Sequence, residues 1–465
     1  MSSPMLVERG FDPSATEREL LSRCQTLVEL ARARGADEAE VYGSRSRASA
    51  VRFEKGDLKL AQVDEGSTLG LRVFREQRLG FTSTNQSERA ALERCADEAL
   101  ALARFAPPDA HNRLPAPRPV AQLAPLVDPE LAAVPVEDLV ALGQRFVERT
   151  QAVDRRLSID AASVELGRLT HAIAGSTGVR QAESDAYVSA SIGAMAIDGE
   201  DVGGMHYEGE LVRSRAELEP ALERLARATA ECALANLGAR RGESYQGAVL
   251  FAPDAFFDVF VAPLVSAASA IAVQRGRSPL AGKCGSRLAS ACLEIVDDPT
   301  DRTLGGAGSF DREGQPAAPF TLLARGVLQG FLYNGYAAAV ESRASTGHAS
   351  GGARSVPGIG PHALVLAPGT GGTRAQLQRT LGRGLFVQRF SGTVDPASGD
   401  FSGVAKSARW IEHGTVVRGV KETLLSGNAF DLLKRIVALG SVAERCSGAA
   451  RAPYALVDGV SVTAG

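Results

Sequence analysis

One tryptophan, six histidines and six cysteines serve a chain of 465 residues, and each scarcity excludes something. No two cysteines form a CxxC pair: Cys24, Cys95, Cys232, Cys284, Cys292 and Cys446 stand far apart. A zinc ribbon is therefore excluded, and free, mostly buried thiols are expected in a reducing compartment. No histidine lies between His206 and His348, and no HExxH occurs anywhere. A serine nucleophile lacks its GxSxG elbow. The glycine-rich segments 305–308 and 369–372 lack the Lys-Ser/Thr of a phosphate loop and read as flexible loops. No apolar run approaches the roughly 20 residues of a membrane helix. Glu8, Arg9 and Asp12 interrupt any leader-like pattern, so a cytoplasmic, soluble protein is expected. Basic residues are scattered and the net charge is −3, which argues against a nucleic-acid surface.

What is present is enough chain for two or three domains. The pattern predicts α+β architecture: two lobes of antiparallel β-sheet flanked by helices, with a β-rich C-terminal half. An N-terminal domain is expected over 1–242 and a C-terminal one over 243–465. The N-terminal half reads as a helix over 16–34, strands at 39–42, 50–53 and 58–61, and a hairpin turn at Lys55-Gly56-Asp57. Strand 69–73 finds its partner in 78–85, and Ser87 is placed as the cap of a helix ending near Arg104. Residues 106–135 carry eight prolines and form an extended connector in which Leu123, Leu126 and Val127 can still pack. A helix over 136–150, strands 158–174, 182–196 and 202–212, and a helix over 213–237 follow. After strand 248–251, an apolar helix begins at Pro253-Asp254, and Pro263 should kink or end it.

The stretch from Asp395 to Asn428 carries the most information. It reads as short strands with polar turns, with a hairpin at His413-Gly414. Ser426 or Asn428 caps a helix expected over 429–439. Its order of GDFS, WIEHG, VKE and SGN resembles the C-terminal domain of the TldD/PmbA (TldE) family. So do G-x-x-x-G-x-R-V around Arg72, R-x-G-F-x-x-T around Gly80, I-x-D-D-P at Asp297-Asp298, F-D-x-E-G at Asp311 and Glu313, and S-T-G-H ending in His348. The matches run from about residue 38 to 446. Two departures are Gly175, where the family usually has Asn, and residues 404–409 in place of a small, Gly-rich segment.

The resemblance implies a subunit of a zinc metallopeptidase complex acting on unfolded or modified peptides. The zinc and its HExxxH helix would belong to a TldD-like partner, with no cofactor in this chain. The helix matching that position reads Phe256-Phe257-Asp258-Val259-Phe260 and holds no histidine. This chain would shape the chamber, as half of a heterodimer or paired with itself. His348, Asp400, Phe401, Trp410 and Asn428 are the candidate substrate-binding residues. No metal ligand is assigned, and Cys446 is the weak candidate, since a C-terminal cysteine is a ligand in TldD-type subunits. Asp297, Asp298, Asp311 and Glu313 suit a hard cation, but turn chemistry explains them more simply. Lys406 and Arg409 suggest a preference for acidic peptides. Two other classes stay open: a stand-alone binding or assembly protein, and a hydrolase using Cys446.

Overall fold

The computed structural model describes residues 11–465 apart from 122 and 124; Glu8 and Arg9, read above for a leader, lie outside them. Helix α1 (Pro13–Ala33) starts on Asp12, whose carboxylate accepts from the Ala15 N–H. It packs Leu20, Cys24, Leu27 and Val28 onto the first sheet. Strands β1 (Glu38–Glu54), β2 (Asp57–Arg75) and β3 (Arg78–Thr84) form a meander, followed by α2 (Arg89–Phe105). The three separate strands expected over 39–61 are parts of β1 and β2, which turn at Lys55-Gly56. Gly56 has φ +90° and Lys55 φ +52°, the left-handed conformations that such a tight turn requires. The residue capping α2 is Glu88, not Ser87, and its side chain makes no capping bond.

Strands β4 (Leu157–Gly175) and β5 (Arg180–Asp198) extend this seven-stranded antiparallel sheet, and His206–Val212 pairs with β5 at its edge. The strand expected over 202–212 is broken at Gly203-Gly204. Helices Val136–Gln151 and Arg215–Leu234 cover one face with Leu139, Leu142, Phe146, Leu218 and Leu222. The proline-rich connector is not extended throughout: Pro129–Ala132 is a helical turn capped by Asp128, and Leu126 is buried against β5.

A second sheet of fourteen strands spans residues 240–464. The long strand Ala450–Ala464 is its spine and pairs with Tyr245–Phe251, Thr423–Asn428, Ile436–Cys446 and Leu364–Leu366. Two outcomes differ from the sequence pattern. The helix expected over 429–439 is one turn, Ala429–Leu432, and a 3₁₀ turn, Leu433–Arg435. Ile436 onward is strand, because β-branched Ile436 and Val437 suit a pleated surface and the spine offers them a ladder. Asn428 is its cap, accepting from Phe430 and Asp431 N–H groups. Of the two outcomes expected at Pro263, it does not end the helix: Pro253–Phe256, a π segment Phe257–Val261 and Ala262–Ala267 are contiguous. Widening the turn before the proline accommodates the missing N–H and the ring. The glycine loop at 369–372 is held, with Gly369 and Gly371 donating to the Gly440 and Leu439 carbonyls.

The two sheets are joined by buried charge. Arg72 of β2 donates to Glu40 (2.8 Å) and Glu313 (2.9 Å), and Arg312 donates to Glu40 (3.1 Å) with its guanidinium over the Tyr42 ring. Arg213 holds Asp185 with two nitrogens and reaches carbonyls of Arg302, Leu304 and Gly305. Among the described residues, no helix is long and apolar enough to cross a membrane.

Candidate functional site

Strand Arg389–Val394 pairs with Asp400–Lys406 on one side only, which leaves its other edge open. Alongside it runs the 253–267 helix. Between them lies a groove of about 310 Å³, walled by Asp258, Pro263, Ser266, Phe390, Gly392 and Val394. Gly392 pairs directly with Gly403, and a Cβ on Gly392 would collide with the Ser402 carbonyl and the Gly403 Cα. That close approach lets the Phe390 ring lie across the pair. Phe390 and Phe260 each meet Phe401 edge-on at 6.0 Å, so Phe390, the aromatic ring that lines the groove, is backed by packed aromatic rings. An open strand edge beside a groove of mixed polarity can take an extended chain by main-chain hydrogen bonds.

Of the residues expected to contact substrate, the fold brings two together: Asn428 Nδ2 donates to Asp400 Oδ1 at 2.9 Å, across the paired positions Asp400 and Asn428. Phe401 is buried behind the edge strand. Trp410 is buried on Ala408–Glu412, where its Nε1–H donates to Glu412 and its ring meets Tyr245. His348 is buried elsewhere, with Nε2 2.9 Å from Asp297 and Nδ1 2.8 Å from Thr346 Oγ1. Lys406 is exposed, whereas Arg409 is buried and donates to Asn236 Oδ1 and the Cys232 carbonyl, so only one of the two cations is open to a ligand.

The suggested acidic cation group is used internally. Asp297 accepts the N–H groups of His362 and Ala363, Asp298 those of a Thr300 turn, and Asp311 those of Glu313, Gln315 and Ala349. Glu313 holds Arg72 and the Gly335 N–H. Cys446 is buried at the end of its strand, where burial and the carboxylates of Asp254, Asp258 and Glu444 push its thiol pKa up, the reverse of nucleophile activation. The family's zinc does not fit the 253–267 helix, whose inward side chains are Phe256, Val259, Phe260 and Leu264.

Three other side chains do converge. His206, Glu208 and Cys232 present ligand atoms within 4.8 Å of one another, among the described residues the one such trio. The only sequence signal was the His-x-Glu alternation on a strand; Cys232 sits on a helix that the fold alone brings over it. Burial opposes a charge on His206, but hydrogen bonds to Cys232 and Glu208 outweigh it and hold its pKa up at about 9.

The sequence matches two family models: the PmbA/TldA metallopeptidase C-terminal domain over residues 244–464 and metallopeptidase domain 1 over 39–103. The chain belongs to the PmbA/TldD family. It is 27% identical to the metalloprotease PmbA of Escherichia coli O157:H7 over 444 residues, 91% of this chain and 92% of that one. A Haemophilus influenzae PmbA homolog is 25% identical, covering 93% and 94%. The fold superposes on TldE from Thermococcus kodakarensis with a TM-score of 0.85 at 21% identity, covering 95% of this chain and 100% of that one. The expected α+β fold and family are therefore found, and the role is peptidase-related.

Proposed function

We propose that this chain is a TldE-like, non-zinc subunit of a cytoplasmic metallopeptidase complex. It binds extended peptides along strand Arg389–Val394 while a TldD-like partner carries the zinc. The observation that carries the reading is the open strand edge beside the groove lined by Phe390 in a chain of this family. When bound in the partner, zinc supplies an activated water and a Lewis acid for a peptide carbonyl. The residues of this chain bind and orient. Main-chain N–H and C=O groups of 389–394 pair with the peptide backbone, and the Phe390 ring excludes water beneath it. Such pairing reads few side chains, which suits unfolded or modified peptides.

The test is reconstitution with a TldD-type zinc subunit. The complex should cleave an unfolded peptide that neither chain cleaves alone, and a photoreactive extended peptide should label residues 389–394. Full-rate cleavage by the lone chain would overturn the subunit assignment. Labelling away from this strand would overturn the edge-pairing mode.

A further inference from the structure

We propose that His206, Glu208 and Cys232 form a site for one divalent transition-metal ion of the zinc class, set at the seam between the two sheets. The geometry comes first. His206 and Glu208 stand two apart on strand His206–Val212 and so point to the same face. Cys232 descends from helix Arg215–Leu234, and the three ligand atoms lie within 4.8 Å of one another.

The support around the imidazole has the form that metal sites need. His206 is fully buried. Its Nδ1 lies within hydrogen-bond reach of Ser407 Oγ at 2.9 Å, and its Nε2 lies 2.7 Å from Glu208. Ser407 is the bend between strands Asp400–Lys406 and Ala408–Glu412 of the second sheet, sits at φ +48°, and accepts from Asn236 Nδ2 at 3.3 Å. A metal-binding histidine commonly gives its other N–H to such an outer partner, which fixes the ring and its tautomer. Asn236 also accepts from Arg409, so the outer partners tie the site to the second sheet.

The donor set selects the ion. A thiolate with an imidazole and a carboxylate favours zinc, cobalt or similar ions over magnesium and calcium, and three ligands leave a fourth position open. Binding an ion displaces whatever protons these ligand atoms carry without it. The surroundings mix charges. Asp254 and Glu444 feel the charge of Glu208, while Arg389 and Arg374 lie near them and Arg409 lies near Cys232. A cation relieves the crowding of the three carboxylates. Bound there, it clamps strand His206–Val212, helix Arg215–Leu234 and Ser407.

Cobalt(II) titration of the full chain, stripped with chelator, tests this. A thiolate-to-cobalt absorption band should grow to one equivalent and disappear when zinc is added. Cys232→Ser should remove the band and weaken zinc binding at least about 100-fold, whereas Cys284→Ser should leave both unchanged. Ser407→Ala should keep the band and weaken binding about 10- to 100-fold. No band at millimolar cobalt, or a band that survives Cys232→Ser, overturns the proposal. Circular dichroism of each variant establishes that lost binding is not lost folding. The readout needs neither partner nor peptidase activity, so it stands or falls separately from the function proposed above.

Discussion

Arg72 Nη2 donates to two buried carboxylates from opposite halves of the chain, Glu40 at 2.8 Å and Glu313 at 2.9 Å. Burial disfavours the guanidinium charge, but the two carboxylates outweigh it and raise its pKa. Removing one partner strands the others in a low-dielectric site, which is the expensive way to break a buried ion pair. Arg72→Met should therefore lower unfolding stability by roughly 3–5 kcal/mol. Adding Glu313→Gln should recover part of that loss. Denaturant midpoints of the two single variants and the double variant measure it, and a purely additive double variant would mean that the residues do not interact.

Acid should weaken the fold from two groups. Burial keeps His362 neutral by lowering its pKa from 6.5. Asp297 is pulled up by burial but held below 3.8 by the His348 side chain and by the His362 backbone N–H. The signs agree. The neutral-His362 contribution is present above 6.5 and is lost as pH falls below it, when the unfolded chain takes up a proton that the folded one resists. The Asp297 contribution is present above 3.8 and is lost as pH falls through its lowered folded value. Measured as urea midpoints against pH, the loss should show as a difference between variants: His362→Gln should lose less stability than the unsubstituted chain just below pH 6.5, and Asp297→Asn less near and below pH 3.8.

Thiol labelling should separate the cysteines by burial. Cys284 and Cys292 are exposed, whereas Cys24 and Cys95 are buried with pKa values pushed up to about 12 by burial. Mass spectrometry after brief alkylation at pH 8 should find Cys284 and Cys292 modified and Cys24, Cys95 and Cys446 protected. Rapid labelling of Cys446 would revive the cysteine-hydrolase alternative.

The Gly392–Gly403 pair should tolerate no side chain. Gly392→Val has to push the Ser402 carbonyl and the Phe390 ring aside and should cost roughly 1–3 kcal/mol. Thr393→Val, at an exposed neighbour, should stay within about 0.5 kcal/mol. Thermal unfolding compares them; equal midpoints would mean that the strands are not in this register.

What the sequence made legible was local. Lys55-Gly56 and Asn428 carry their turn and cap chemistry in their own side chains and backbone, and both stand where the pattern put them. The 436–439 segment was misread because Leu433, Ile436 and Leu439 fit a helical period as well as a strand, and only the Ala450–Ala464 spine decides between them. Arg72 and Glu313 lay inside recognised motifs, yet nothing in either motif says that the two meet. The His206–Glu208–Cys232 trio is the same case at closer range: a strand pattern supplies two ligands, and a helix packed over it supplies the third.

The π segment Phe257–Val261 has one more consequence. In an α-helix, residues five apart point about 140° away from each other. An i→i+5 hydrogen bond instead brings them one above the other. The histidines of an HExxxH motif are five apart, so this backbone is the one on which they would face a common ion. Here the same wide turn carries Phe257, Val259 and Phe260. The chain thus has the wide turn on which a pair of imidazoles could meet, but packs Val259 and Phe260 from it into the core and turns Asp258 toward the groove.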